Sequence, residues 1–419
     1  MGRVRIGNRV PERLGWVDEK KGWMKMFFSL ALILMAGLSL GWVCKRIGLP
    51  PLVGMIAAGI LIGPYGLNFL DANTLTIGAD LRKIALLVIL TRAGLNLNLD
   101  DLKKCSLPAI LMGFVPATCE IIGTILLAPM ILHITWVEAA VLGSVIAAVS
   151  PAVVVPRMIK LIEQGYGTKQ TVPQMILAGS SLDDIYVIVL FSVFSSMAAG
   201  GSFQPAMLLD IPVSIVLGLA GGAACGYGLG WFYHKVKIRK EICVIQFYAI
   251  TFLLVAIENA LTDMVPFSSL LAVMTFAFIL KRKAPKTAVE IKKTSDAIWV
   301  LAEIFLFVLV GAVVNVSYAF GCGLQAVLLL ALVMIFRMAG VWLCVRFTPM
   351  DSKSRLFCMI AYTPKATVQA AIGAIPLSIG LACGQTVLTL AVLSILLTAP
   401  LGAFAIDHLY PRLLTKDEG

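Results

Sequence analysis

Two adjacent carboxylates, Asp183 and Asp184, stand inside the otherwise apolar stretch Ala178-Gly179-Ser180-Ser181-Leu182-Asp183-Asp184-Ile185-Tyr186-Val187-Ile188-Val189-Leu190-Phe191. A carboxylate at bilayer depth is costly, so it is expected to face a wet cavity and to mark an ion or proton pathway. Two side by side resist ionising together, which suits a site that trades protons for a cation. Neighbours on one helix diverge by about 100°, so the pair cannot hold one ion equally. The bland alternative is a polar pair satisfied within a bundle core.

The elements that must carry this pair follow from composition. The chain has 419 residues, 59% of them hydrophobic and only 14% charged, with a mean hydropathy of +0.94. A soluble chain carries roughly a quarter charged residues, so this one reads as an all-α polytopic membrane protein. Cys44, Cys105, Cys119, Cys225, Cys243, Cys322, Cys344, Cys358 and Cys383 are scattered with no CxxC pair, which argues against a disulfide framework or a zinc site. The net charge of +11 is a topology signal and gives no reason to expect nucleic acid.

Apolar segments near the roughly 20 residues a bilayer needs recur at 25–44, 51–68, 81–97, 106–133, 135–160, 173–199, 207–234, 241–261, 265–282, 297–318, 322–348, 354–381 and 385–408. About thirteen transmembrane helices are therefore expected, between a basic leader over 1–24 and a tail over 409–419. That leaves no room for a soluble domain at either end, so a regulatory nucleotide-binding domain is expected to be absent. Lys and Arg crowd the loops after odd-numbered segments, from Lys45 and Arg46 to Lys353 and Arg355, and recur at Arg412 and Lys416. Loops after even-numbered segments hold only Arg82 and Lys83. This bias predicts a cytoplasmic C-terminus and an external N-terminus, against the opposing pull of Arg3, Arg5, Arg9, Arg13, Lys20, Lys21 and Lys25 in and beside the leader.

A weak internal repeat accompanies the count. Leu95-Asn96-Leu97-Asn98-Leu99 closes the third segment much as Gly311-Ala312-Val313-Val314-Asn315-Val316 closes the tenth. Seven segments separate the two, so the halves have opposite orientation, an inverted repeat with the site expected at the repeat interface. The fifth and twelfth segments are also seven apart, and each has a hydroxyl followed by proline in mid-span, Ser150-Pro151 and Thr363-Pro364. Proline removes a backbone donor and breaks a helix. The matched positions predict two crossed broken helices, the alternative being a simple kink in each.

Three motifs carry a resemblance. Val149-Ser150-Pro151-Ala152-Val153-Val154-Val155-Pro156, Ser181-Leu182-Asp183-Asp184 and Pro364-Lys365-Ala366-Thr367-Val368-Gln369-Ala370-Ala371-Ile372-Gly373 resemble signatures of sodium/proton antiporters of the monovalent cation:proton antiporter superfamily, in its NHA exchanger branch. The likeness runs from about residue 45 to Pro411. It implies a homodimer with a dimerisation domain over 25–105 and 241–321, an ion-transport core over 106–200 and 322–408, and a linker helix within 201–240. It implies elevator-like movement of the core against the dimer scaffold. It further implies that Asp184 binds the ion and carries the proton, while a basic residue holds Asp183.

The remaining charges are weighed beside that pair. Lys365 could pair with Asp183 when no cation is bound, or only neutralise the carbonyls of the broken helix. Many members of the resembled family carry a functional lysine on the preceding helix, where this chain has Arg337, so the basic partner of Asp183 stays open. Glu120 and Arg337 lie mid-span seven segments apart and are expected to form a structural ion pair across the halves. Ser150 and Thr363 could lend oxygens to a small hard cation, with Ser180, Ser181 and Gln369 as weaker candidates. Such groups also commonly satisfy helix carbonyls instead. Structural or interfacial roles are expected for Glu303 and Arg92, and places near an entrance funnel for Glu138, Glu258 and Asp263. His133, His234 and His408 have no partners at metal spacing.

The expected function is exchange of sodium or lithium for protons at one site, most active at neutral to alkaline pH, without enzymatic activity or a cofactor. The competing readings are a potassium/proton exchanger, a sodium-coupled organic-anion symporter and a channel. An intramembrane aspartyl protease would place its aspartates on separate helices. Paired aspartates suggest two protons per sodium, a count that Lys365 or the Glu120–Arg337 pair could alter. The expected setting is a bacterial plasma membrane, with lipids, cations and protons as partners.

Overall fold

The computed structural model describes residues 13–96, 107–200, 207–236, 238–261, 265, 267–321 and 323–416. Arg3, Arg5, Arg9, the 97–99 end of the third segment, Cys105, Lys237, Asp263 and Cys322 lie outside the described residues, as do the side chains of Arg13, Lys20, Lys21 and Ser181. The first half runs α1 (Arg13–Arg46), α2 (Pro51–Ile62), α3 (Ala72–Asn96), α4 (Leu107–Met112), α5 (Val115–Leu132), α6 (Trp136–Ile146), α7 (Pro151–Glu163) and α8 (Val172–Ala199). It continues with α9 (Met207–Lys235), α10 (Lys240–Leu261), α11 (Ser269–Lys283), α12 (Pro285–Ala312) and α13 (Val316–Gly321). Last come α14 (Gly323–Val345), α15 (Ser352–Ala361), α16 (Thr367–Ile372), α17 (Ile375–Ser378) and α18 (Gly384–Leu413). Among the described residues, eight helical stretches are long and apolar enough to cross a membrane, counting α4 with α5 and α6 with α7.

The helices depart from the hydropathy reading for local reasons. α3 begins at Ala72 instead of 81, and α12 at Pro285 instead of 297. The stretches added at their starts carry Asn73, Thr74, Thr76 and Asp80, and Lys286, Glu290, Lys292, Lys293 and Asp296, which lower hydropathy without opposing a helix. The fourth segment is not continuous: it breaks between Met112 and Val115, with Pro116 in the first turn of α5. There a Cβ added to Gly113 would lie 2.4 Å from Leu182 Cβ, so the break lets the chain pass close to α8.

Backbone proximity sorts the helices into two groups. α12 packs on α2 and α3, α11 on α3 and α9, α1 on α2, and α10 on α11 and α12. The second group pairs α14 with α5, α5 with α6, and α8 with α4, α6 and α7, while α18 covers α15 and α17. The groups meet where α16 reaches α3, α18 reaches α2 and α8 reaches α11. At the end of the second group a latch forms. Arg157 donates to both oxygens of Asp407 at 3.0–3.1 Å, Gly167 N–H donates to Thr415 O at 2.9 Å, and the Tyr166 and Tyr410 rings meet edge to face at 4.9 Å.

Two carboxylates expected near an entrance have local partners. Glu138 completes a capping box on α6, accepting from Thr135 N–H and Oγ1 at 2.8 Å. Glu258 accepts from Ser269 N–H at 3.3 Å and Oγ at 2.5 Å, tying α10 to the start of α11.

Helices in lipid gain their contact from small residues that let backbones approach. Gly59 of α2 is the extreme case, since a Cβ there would sit 1.9 Å from Val308 O of α12. Gly59→Ala is expected to lower the melting temperature of the detergent-solubilised protein by several degrees. Gly228→Ala, where nothing lies within 4 Å, should leave it unchanged or slightly raised. Equal melting of both variants would mean that α2 and α12 separate without cost.

Candidate functional site

The site is built on two interruptions. α6 ends at Ile146 and α7 begins at Pro151, so residues 147–150 are not helical. α15 ends at Ala361 and helix resumes at Thr367, with Pro364 between. Proline lacks the donor that would continue a helix and biases the preceding residue towards extended backbone. Ser150, at φ −92° and ψ 109°, shows that bias. The interruptions cross in contact: Ser150 N–H donates to Pro364 O at 2.7 Å.

Breaking a helix strands its last carbonyls, and at membrane depth they need protein donors. Ile146 O accepts from Lys365 Nζ and, at 3.4 Å, from Gln369 Nε2. Ala147 O accepts from Arg337 Nη1, and Ala148 O from Gln369 Nε2 at 2.8 Å. On the other strand of the crossing, Tyr362 O accepts from Arg337 Nε at 2.6 Å. The Tyr362 ring faces the guanidinium, its centroid 5.3 Å from Cζ, an arrangement that favours the cation. Thr398 Oγ1 of α18 accepts from Lys365 N–H at 2.9 Å and so fixes the second interruption from outside.

These donors also carry the charges of the site. Arg337 Nη1 is 3.0 Å from Glu120 Oε2, and Nη2 is 3.0 Å from Asp183 Oδ2. Lys365 Nζ lies 2.7 Å from Glu120 Oε1. Glu120, Asp183, Arg337 and Lys365 are all fully buried. Of the two parts left open for Lys365, this arrangement has the one at the carbonyls of the broken helix. Lys365 sits on Glu120, and the basic residue against Asp183 is Arg337. The reason is reach: one planar guanidinium can hold two carboxylates and two carbonyls at once, whereas the ammonium has three donors and is already placed between Glu120 and Ile146 O.

Asp183 is held on one oxygen only. Its Oδ2 accepts from Arg337 and from Val149 N–H at 2.6 Å. Its Oδ1 is buried without a hydrogen-bond partner, and so are Asp184 Oδ1 and Ser150 Oγ. Asp184 itself is half-buried. A buried polar atom without a protein partner is uncommon. Oxygen atoms of this kind suit a small hard cation. Thr363 Oγ1 instead donates to Ile360 O at 2.8 Å and Ser180 Oγ to Leu177 O at 3.0 Å, the helix-carbonyl role that was the alternative for both. Gln369 spends its NH2 group on Ala148 and Ile146, leaving a buried Oε1.

Other expected residues are placed away from the crossing. Arg92 pairs with Asp296 at 2.6 Å and stacks over Trp299 in the first helix group, where α12 also carries half-buried Glu303. His234 Nε2 is 2.7 Å from Lys283 O, His408 stacks on Phe404, and His133 ends α5 with φ 56°. Among the described residues no cluster of three or more His, Cys, Asp or Glu could hold a metal. Sequence reasoning missed the Gly113–Phe114 break, although Val115-Pro116 gave a proline signal, and it missed the Thr118–Tyr186 hydroxyl pair at 2.8 Å that ties α5 to the helix of the aspartates. It also missed Tyr362 and Thr398, whose parts depend on tertiary contacts.

A family model described as sodium/hydrogen exchanger, transmembrane, matches residues 30–409. The chain is 33% identical over 383 residues to sodium/hydrogen exchanger 9B2 of Homo sapiens, covering 88% of this chain and 71% of the relative. It is 31% identical over 383 residues to sodium/hydrogen exchanger 9B1 of Homo sapiens, covering 88% and 73%. The solved structure of the sodium proton antiporter MjNhaP1 from Methanocaldococcus jannaschii at pH 8 superposes with a TM-score of 0.78 at 19% identity, over 94% of this chain and 99% of that one, a likeness of fold.

Removing one member of a buried ion pair leaves a charge without compensation, at a cost of about 3–5 kcal/mol. Lys365→Met is expected to reduce stability on that scale in a detergent melting series. Adding Glu120→Gln should recover part of the loss, because Arg337 keeps Asp183. A double variant no more stable than Lys365→Met would count against the Glu120–Lys365 coupling.

Proposed function

The chain belongs to the sodium/hydrogen exchanger family, and on that premise we propose that it exchanges sodium for protons at the crossing of its two broken helices. The observation that carries this reading is the set of buried oxygens without partners, Asp184 Oδ1, Asp183 Oδ1 and Ser150 Oγ, beside cations that are already committed. Asp184 binds either a sodium ion or a proton, and the two compete. Asp183 lends its free oxygen while Arg337 keeps its other oxygen occupied. Lithium, a smaller hard cation, uses the same oxygens.

The charge count supports one proton per sodium. Three carboxylates, Glu120, Asp183 and Asp184, face two cations, Arg337 and Lys365. Arg337 cannot release its proton, and Glu120 is shared between both cations. With Asp184 ionised the cluster carries one net negative charge, and either one sodium ion or one proton neutralises it. Only the neutral forms cross a low-dielectric barrier cheaply, which makes the exchange obligatory. The aspartate pair taken alone suggested two protons per sodium; the count we propose is one.

The movement we assign is an elevator: the second helix group, which holds the crossing, slides against the first. The first group forms the interface of a homodimer. The protein is integral to the membrane, its basic loops and C-terminus facing the cytoplasm and its N-terminus outside, and we place it in a bacterial plasma membrane. No enzymatic step or cofactor is needed. An organic-anion symporter is disfavoured because Arg337 and Lys365 already sit on carboxylates, so neither is free for an anionic substrate.

Sodium-driven collapse of a preset pH gradient in proteoliposomes tests the reading, with Asp184→Asn beside the wild type. Collapse with sodium or lithium, lost in the variant, is expected, and collapse with potassium alone would move the protein to potassium/proton exchange. For one competing proton, the sodium concentration at half-maximal rate should rise about tenfold per unit fall in pH in the acid range. The rate should be the same with the membrane potential clamped or free. A hundredfold rise, or a rate that follows the potential, would restore a second proton.

A further inference from the structure

Gln369 is fully buried on α16, and the mechanism above gives it no part. Its amide faces two carbonyl oxygens of the broken end of α6, Ala148 O at 2.8 Å and Ile146 O at 3.4 Å. Oxygens that can only accept must be met by the NH2 end, so chemistry fixes which way the amide stands. Ala148 O and Val149 N–H belong to the same peptide unit. That unit is planar, and the chain contains no cis peptide bond among the described residues. The direction of the Ala148 carbonyl therefore sets the opposite direction of Val149 N–H, which donates to Asp183 Oδ2 at 2.6 Å.

One peptide unit thus has Gln369 at its oxygen end and Asp183 at its nitrogen end. It lies in the non-helical stretch 147–150, where no helical ladder holds its rotation. Hydrogen bonds in series polarise one another, so drawing on the carbonyl makes the N–H a better donor. Without the amide, the unit can turn, and Asp183 Oδ2 then keeps Arg337 alone. The Nε2 that holds this peptide is a separate atom from Oε1, which is buried without a protein partner.

We propose that Gln369 is a positioning residue for Asp183, orienting the Ala148–Val149 peptide so that its N–H meets the carboxylate and sets the affinity of the adjoining cation site. The proposal rests on the reading of Asp183 and Asp184 as that site. It also gives the second broken helix control over the geometry of the first through one side chain.

The test compares wild type, Gln369→Met, which keeps the length and loses the donors, and Gln369→Asn, which keeps the amide one methylene short of Ala148 O. Exchange in proteoliposomes is measured against sodium concentration, and melting of the purified protein is measured with and without sodium. Both variants are expected to need about tenfold more sodium for half-maximal exchange, the scale of one hydrogen bond to a charged group. Their maximal rate should be retained, while the sodium-free melting temperature should fall in both, since Ala148 O loses its donor. Unchanged half-saturation in either folded variant overturns the proposal. So does a fall in maximal rate with no rise in half-saturation, the mark of a packing role. If the wild type moves no protons with sodium, the exchange reading fails by itself. Stabilisation by sodium, weaker in Gln369→Met than in wild type or equal to it, then decides the role of Gln369.

Discussion

Three consecutive carbonyl oxygens, those of Ile146, Ala147 and Ala148, set the terms for the rest of the molecule. A helix that stops in mid-membrane exposes them where water is scarce, and each unmade hydrogen bond there costs several kcal/mol. The opposite half of the chain supplies the donors: Lys365 and Gln369 for Ile146, Arg337 for Ala147, Gln369 for Ala148. Two of these donors are cations, so the need to satisfy backbone brings charge into the bilayer. Charge in turn demands Glu120 and Asp183, and the position of Asp183 fixes where its neighbour Asp184 can stand. The ion site thus follows from the helix break by way of ordinary hydrogen-bond accounting.

This origin explains why the buried charges come as a connected set. An isolated ion pair in a low-dielectric interior is often no better than a hydrophobic pair of the same volume. Here Arg337 and Lys365 also satisfy carbonyls, so replacing them with apolar side chains would strand backbone as well as carboxylates. The Tyr362 ring and carbonyl hold the guanidinium from a further side. The cluster is tied to backbone through its cations, and Asp183, Asp184, Ser150 and Gln369 each keep a buried oxygen without a protein partner.

Much of this architecture is legible in the residue string because its signals are local. Asp183-Asp184 in an apolar run, Ser150-Pro151 and Thr363-Pro364 each announce themselves within a few positions, and their matching places in two halves point to a crossing. Partner choice is different in kind. Lys365 and Arg337 are both basic and both mid-span, and nothing in their neighbours says which meets Asp183; the answer lies in side-chain reach across α5, α8 and α14. The starts of α3 and α12 were hidden because hydropathy measures burial in lipid, whereas helix formation tolerates Asp80 or Lys292. Gln369 looked like a minor ligand because its two contacts are to backbone, which a sequence displays nowhere.

The latch at the end of α18 has a practical consequence. Residues 414–416 are fastened to the turn between α7 and α8 through the Gly167–Thr415 bond and the Tyr166–Lys416 bridge, with Leu414 buried beneath. A fluorophore or gold label attached within 415–416 belongs to the second helix group. A companion label on α2 or α12 would belong to the first. The molecule therefore offers a ready pair of attachment points for an optical ruler, one on each body, with neither label inside the ion site.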